Sequence, residues 1–189
     1  MSNIWEVRSA PNNYLCVQQN DLRYFNDRFV SVPMSKGWTA PSFDLLNKSK
    51  KVADFTSWQI GSRTFLVSRR AKEAIHEICG DDVEFLPFAT IKRIELFAIN
   101  VLRQMAVVEW TTCVASAKLM GGPYKLKADV GPLPPLFKDP LAVSPTFASD
   151  ELGALAVQLG LTGLQLADPR KNILGMIVYG QSINEYPGL

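Results

Sequence analysis

Histidine occurs once in this chain, at His76, and cysteine three times, at Cys16, Cys79 and Cys113. That scarcity excludes several chemistries. A structural zinc site needs four Cys or His ligands in recognisable spacing, and no CxxC pair or second histidine supplies them. A Ser-His-Asp triad would have to use His76, and no G-x-S-x-G turn is present to present its serine. The glycine-rich loops GxGxxG and GxxxxGKS/T, which cradle phosphates, are also missing. Three widely spaced cysteines are the usage of a reducing compartment, where thiols serve as small apolar residues.

Charge of one sign is lacking too. The chain carries 20 basic and 18 acidic residues, a formal net charge of +2, and such a balance demands no nucleic-acid partner. The runs Lys48, Lys50, Lys51 and Arg69, Arg70, Lys72 are short and read as solvated surface. No apolar stretch approaches the ~18 residues that span a bilayer. The opening MSNIWEVRSAPNN has no apolar signal-peptide region. The expectation is a cytoplasmic protein with no cofactor, no metal, no nucleic-acid partner and no membrane partner.

What is present is folding information. Apolar residues make up 47% of the 189 positions and charged residues 20%, an ordinary globular balance with enough chain for a core without disulfides. One stretch, Phe65 to Phe88, reads as strand, helix, turn and strand. Phe65, Leu66 and Val67 are β-favouring. Ser68 suits an N-cap. Ala71, Ala74, Ile75 and Ile78 have the spacing of one helix face, and Gly80 is a suitable stop. Pro87 interrupts the following apolar run and marks an edge strand or a strand end.

The same plan returns at Thr146 to Leu166. Ser149 stands for Ser68, and Leu152, Leu155, Ala156 and Leu159 stand for the four stripe residues, each 81 positions on, before Gly160. Asp150 and Glu151 lie in the first turn, where the helix dipole favours acids, whereas Arg69 and Arg70 hold those places in the first copy against the dipole.

Other elements are shorter. Ile4–Arg8 and Tyr14–Gln18 read as strands. Tyr24, Phe25 and Phe29 can form an apolar patch. Residues 31–50 are irregular, with Pro33, Gly37 and Pro41, and a segment of that length is often functional. Ile91–Val101 reads as one strand with two apolar faces, and Met105–Trp110 and Tyr124–Val130 as two more. The proline-rich Gly131–Pro145 is an extended connection. Ile173–Tyr179 reads as a core strand, and the tail after it is loosely held.

Two residues hint at chemistry. His76 and Cys79 are three apart on one helix and can be neighbours, but His76 lies off the apolar face and Cys79 ends it, so a surface histidine beside a buried thiol is the simpler reading.

Six segments, in order, resemble a known family: DFTSWQ, TFLVSRRAKEAI, DDVEFLPF, ELFAINVL, LFKDP and PTFASDELGALAVQLGLTGLQL. Over roughly Asp54 to Leu166 the order and spacing resemble the bacterial polymorphic-toxin immunity proteins of the Myxococcus type, immunity family eleven. The chain departs from the family at Lys138, where an arginine is expected, and in VLRQMAVVEWTTC. The resemblance implies a non-enzymatic inhibitor that binds and neutralises one cognate toxin domain, with no catalytic residues to carry over. Recognition would then fall to the segments around Ser31–Ser49 and Gly131–Pro145, with Trp38 and Trp58 as candidate partner-binding residues because tryptophan is enriched in hot spots.

The reading is therefore an α+β fold, a mostly antiparallel or mixed sheet with two short strand–helix–strand units packed on it. It is a single globular domain over 1–189, divisible into two similar halves at about 54–120 and 121–189 with an irregular 31–50 segment. The alternative functions are a secretion-system adaptor or self-associating scaffold, compatible with a homo-oligomer, and a small hydrolase using Cys79 and His76.

Overall fold

Both serine-capped helices form where the apolar spacing puts them. The computed structural model describes residues 3–9, 13–20, 28–59, 64–111, 123–141, 145–171 and 176–178; Tyr24, Phe25, Cys113 and the tail 179–189 lie outside them. The Ser68 hydroxyl accepts a bond from the Ala71 N–H at 3.2 Å, and the Ser149 hydroxyl accepts one from the Glu151 N–H at 3.3 Å. Each satisfies an orphan donor of the first turn. Helix α1 runs Arg69–Cys79 and helix α2 runs Asp150–Leu159. Gly160 ends α2 at a φ of 59°, a left-handed cap that costs glycine little. The stripes bury Ala71, Ala74, Ile75 and Cys79 on α1 and Leu152 and Ala156 on α2. Leu159, at the far end of the second stripe, is exposed.

The strands are β1 (Trp5–Ser9), β2 (Cys16–Gln19), β3 (Phe43–Leu46), β4 (Phe55–Gln59), β5 (Leu66–Ser68), β6 (Val83–Ile91), β7 (Ile94–Val101), β8 (Leu136–Phe137), β9 (Phe147–Ala148), β10 (Leu164–Ala167) and β11 (Met176–Val178). They form a six-stranded sheet ordered β3-β2-β4-β5-β7-β6 and a five-stranded sheet ordered β11-β10-β1-β9-β8. All pairings are antiparallel except β2 with β4. The fold is α+β.

The two strand–helix–strand units share one geometry. β5 and β6 both pair antiparallel with β7, so the strands flanking α1 run parallel with a third strand between them. β9 and β10 both pair antiparallel with β1, so the strands flanking α2 do the same. Each is a split unit of the kind found in ferredoxin-like folds. The inserted strand follows directly in the first unit and comes from much earlier in the chain in the second.

Alternation along the strands divides the apolar side chains among three clusters. Val67, Ile99 and Val101 meet the stripes of both helices and Leu136, Ala148, Leu164 and Leu166 in a shared central core. Leu66, Leu96 and Ala98 point the other way, into a cluster with Leu15, Val17, Phe29 and Trp58. Phe137 and Phe147 face outward from the five-stranded sheet onto Ile4, Val107, Val108 and Tyr124.

Several expectations are corrected. The stretch read as one strand from Ile91 is a hairpin, with Lys92 and Arg93 in its turn at φ 49° and 67°. The irregular 31–50 segment contains β3. Met105–Trp110 and Tyr124–Val130 make only an isolated bridge, Val108 with Leu126. The reason is local: the Asp139 carboxylate takes the N–H groups of Val107 and Val108 at 2.8 and 2.9 Å, so a side chain replaces part of a ladder. The strand expected at Ile173–Tyr179 is β11 over Met176–Val178, the outermost strand of its sheet. Pro87 does lie on an edge strand, beside a register shift between Pro87 and Ala89.

Candidate functional site

The motif segments DFTSWQ, TFLVSRR and GLTGLQL converge on one joint. Asp54 precedes β4. Its Oδ1 accepts a bond from the Ser68 hydroxyl at 2.7 Å, and Oδ2 accepts from the Thr162 N–H at 2.9 Å and the Thr162 hydroxyl at 3.0 Å. The exchange is reciprocal: the Asp54 N–H donates to Thr162 Oγ1 at 3.1 Å, and the Phe55 N–H donates to the Thr162 carbonyl at 2.9 Å. Gly163 follows at a φ of 84°, and a Cβ there would lie 2.6 Å from the Ala53 Cβ. Only glycine lets the two backbones approach this closely. One carboxylate thus ties the cap of α1 to the turn after α2.

Beside this joint opens a cleft of about 660 Å³, with Asp54, Ser68, Arg69, Arg70, Arg93 and Glu95 among its walls. Arg69 Nε donates to Glu95 Oε2 at 2.8 Å, and that bond holds the guanidinium above its ordinary pKa. The pair is open to solvent and contributes little to stability. Arg70 donates to the Leu159 carbonyl at the end of α2 and lies 4.0 Å from Asp54. Arg93 has no ion-pair partner among the described residues.

A scan against models of protein families and a search of curated proteins find no match for this sequence.

The candidate tryptophans are placed differently from one another. Trp58 is 4% exposed, edge-on to Phe29 at 5.7 Å and Phe88 at 4.8 Å, so it presents no face to a partner in this conformation. Trp38 is half-buried against the same cluster and donates its indole N–H to the Pro87 carbonyl at 2.7 Å. The segment around it is clamped to β6. The Glu84 carboxylate accepts from the N–H groups of Met34 and Ser35 at 2.7 and 2.8 Å and from the Asn100 amide at 3.0 Å. Burial pushes the Glu84 carboxyl up, but these donors outweigh it and hold the group below its ordinary pKa. Val30 and Val32 stay exposed on this segment.

Cys79 and His76 do not form an activated pair. Cys79 is buried while His76 is exposed on α1. Burial first, with Asp82 and Glu151 nearby, pushes the Cys79 thiol up to about 12. That is opposite to the shift a nucleophilic thiolate needs. Among the described residues no three His, Cys, Asp or Glu side chains gather closely enough to hold a metal. No helix among them is long and apolar enough to cross a membrane.

The segment LFKDP is a second joint. Lys138 is buried, and its ammonium donates to the Phe29 carbonyl at 2.7 Å. Asp139 accepts from Val107, Val108, the Trp110 indole and Leu141 at 2.8–2.9 Å. Neither role could be found from the sequence, because every partner is remote or sits in irregular chain. The basic character of the cleft left one trace there: two arginines in the first turn after a serine cap, where acids are favoured.

Proposed function

We propose that the chain is a non-enzymatic immunity protein that binds a cognate bacterial toxin domain and neutralises it, acting in the cytoplasm. The observation that carries this reading is the ordered set of motif segments from Asp54 to Leu166. Their placement supports it. Asp54, Ser68, Thr162 and Gly163 are joint residues, and Lys138 and Asp139 tie down loops. Such positions keep a scaffold constant while the surface segments 31–42 and 131–135 are free to differ between toxins. Occlusion of a toxin's active site needs only a rigid scaffold with a complementary surface. Self-association through the β6 edge is the less favoured alternative, since Trp38 already occupies the Pro87 carbonyl.

The test is co-expression with a toxin domain encoded beside this gene. Growth should be rescued, and the two chains should co-purify as a complex. Continued toxicity at matched expression, together with failure to co-purify, would overturn the reading.

A further inference from the structure

We infer that the face built from the Lys48–Lys51 turn, the Lys92–Arg93 turn and the first turn of α1 is a docking surface for an acidic patch on a protein partner. Two basic runs that are separate in sequence meet here. The Lys92 ammonium donates to the carbonyls of Lys48 and Lys50 at 2.6 and 2.7 Å, which fastens one turn to the other. The side chains of Lys48, Lys50 and Lys51 are left exposed. The chain continues through Val52 and Ala53 into the wall of the cleft that also holds Arg69, Arg70 and Arg93.

Charge is divided unevenly as a result. Among the described residues this face gathers seven basic side chains, against the acids Asp54 and Glu95 in its cleft and Glu73 farther along α1. A near-neutral protein therefore carries a positive pole. Such a pole orients and accelerates encounter with an oppositely charged surface.

Four of the cations sit at backbone positions that local rules disfavour for them. Arg69 and Arg70 oppose the dipole of α1, which has no acid in its first turn, while α2 has Asp150 and Glu151 there. Lys92 and Arg93 hold positive φ in a two-residue hairpin turn, a place that Asn-Gly fills more cheaply. Local rules broken together on one face point to use.

The make-up of the cleft favours a protein over a nucleic acid. Glu95, 45% exposed beside Arg69, would repel a continuous phosphate backbone, whereas a protein surface of mixed charge can answer it. None of the described residues lining the cleft is aromatic, so none of them offers a platform for stacking bases. The inference does not depend on the immunity reading; if that reading holds, the acidic patch belongs to the toxin domain.

The experiment uses the full chain, a fluorescein-labelled polyglutamate peptide and a DNA duplex of equal total charge, read by anisotropy at low and physiological salt. Polyglutamate should bind more tightly than the duplex. Combined R69Q, R70Q and R93Q should weaken that binding by about tenfold or more, while R103Q, R170Q and K171Q, which remove the same charge from exposed positions elsewhere, should change it by less than about twofold. Equal losses in the two triple variants would reduce the effect to net charge and overturn the inference, as would tighter binding of the duplex or no peptide binding. Should the first triple variant fail to fold, R93Q alone must weaken the peptide by about threefold, and an unchanged affinity would overturn it. The probe contains no toxin, so this outcome is separate from the growth-rescue result.

Discussion

The Asp54 carboxylate receives the Thr162 backbone N–H at 2.9 Å across 108 positions of chain. Three further hydrogen bonds link the same two residues or Phe55 to Thr162. Replacing Asp54 by alanine leaves the Thr162 N–H and the Ser68 hydroxyl without their acceptor at a partly buried site. Asp54→Ala should lower the unfolding free energy by about 3 kcal/mol, read as a lower urea midpoint with an unchanged m-value. A loss under about 1 kcal/mol would show that the joint is not a stability determinant.

Two glycines after α2 should respond very differently to alanine. Gly160, at φ 59°, has no atom closer than 4.0 Å to an added Cβ, so Gly160→Ala should cost only the left-handed strain of about 1 kcal/mol. Gly163→Ala adds a collision with the backbone of Phe55 and the side chain of Ala53 and should cost about 3 kcal/mol or more. Thermal unfolding of the two variants side by side checks the order.

Acid should release the 28–38 segment. The Glu84 carboxyl has a folded pKa below its ordinary value, so its contribution is fully present above about pH 4.3 and is lost as pH falls through the folded pKa. Wild type should lose stability over that range more steeply than Glu84→Gln. Indole emission, with Trp38 near this clamp, should shift in the wild type at a pH where far-ultraviolet dichroism is still native. Parallel acid profiles in the two proteins would refute the clamp.

Alkali should act on Cys79. Its thiol, pushed up to about 12 in the fold, stays neutral there while the unfolded thiol ionises near pH 8.5. The associated stability is therefore complete below about 8.5 and falls as pH rises towards the folded value. Cys79→Ala should show a flatter alkaline profile than wild type. In a C113S background, where Cys16 and Cys79 are the remaining thiols and both are buried, iodoacetamide should label the chain only as fast as it opens.

The features legible in the sequence are those made by neighbours in sequence. Ser68, Ser149, the two stripes and Gly160 form caps, faces and stops from residues within a dozen positions, and the structure holds them as read except for exposed Leu159. Features made across the fold were hidden. The hairpin at Lys92 and Arg93 escaped because its turn lacks the usual Asn-Gly, and β3 because FDLL is only four residues among prolines and serines. Trp58 and Trp38 were both candidates as sequence, but Phe29 and Phe88 bury Trp58 while Trp38, edge-on to Phe29, stays at the boundary. The basic cleft needed the fold to join lysines near 50 with arginines near 70 and 93.

The placement of β1 also dictates an order of assembly. β5, α1, β6 and β7 are contiguous, so the first split unit can close from local contacts as soon as those residues exist. The second cannot. β1 is made long before its partners: it pairs Trp5 with Ala148 and Glu6 with Ala167, and the Trp5 indole N–H waits for Asp150, which it meets at 2.7 Å. Loop closure over so much chain is slow. On a ribosome, β1 would stay unpaired until β9 and β10 emerged, and the five-stranded sheet would zip up after the first split unit, around a strand made long before its partners.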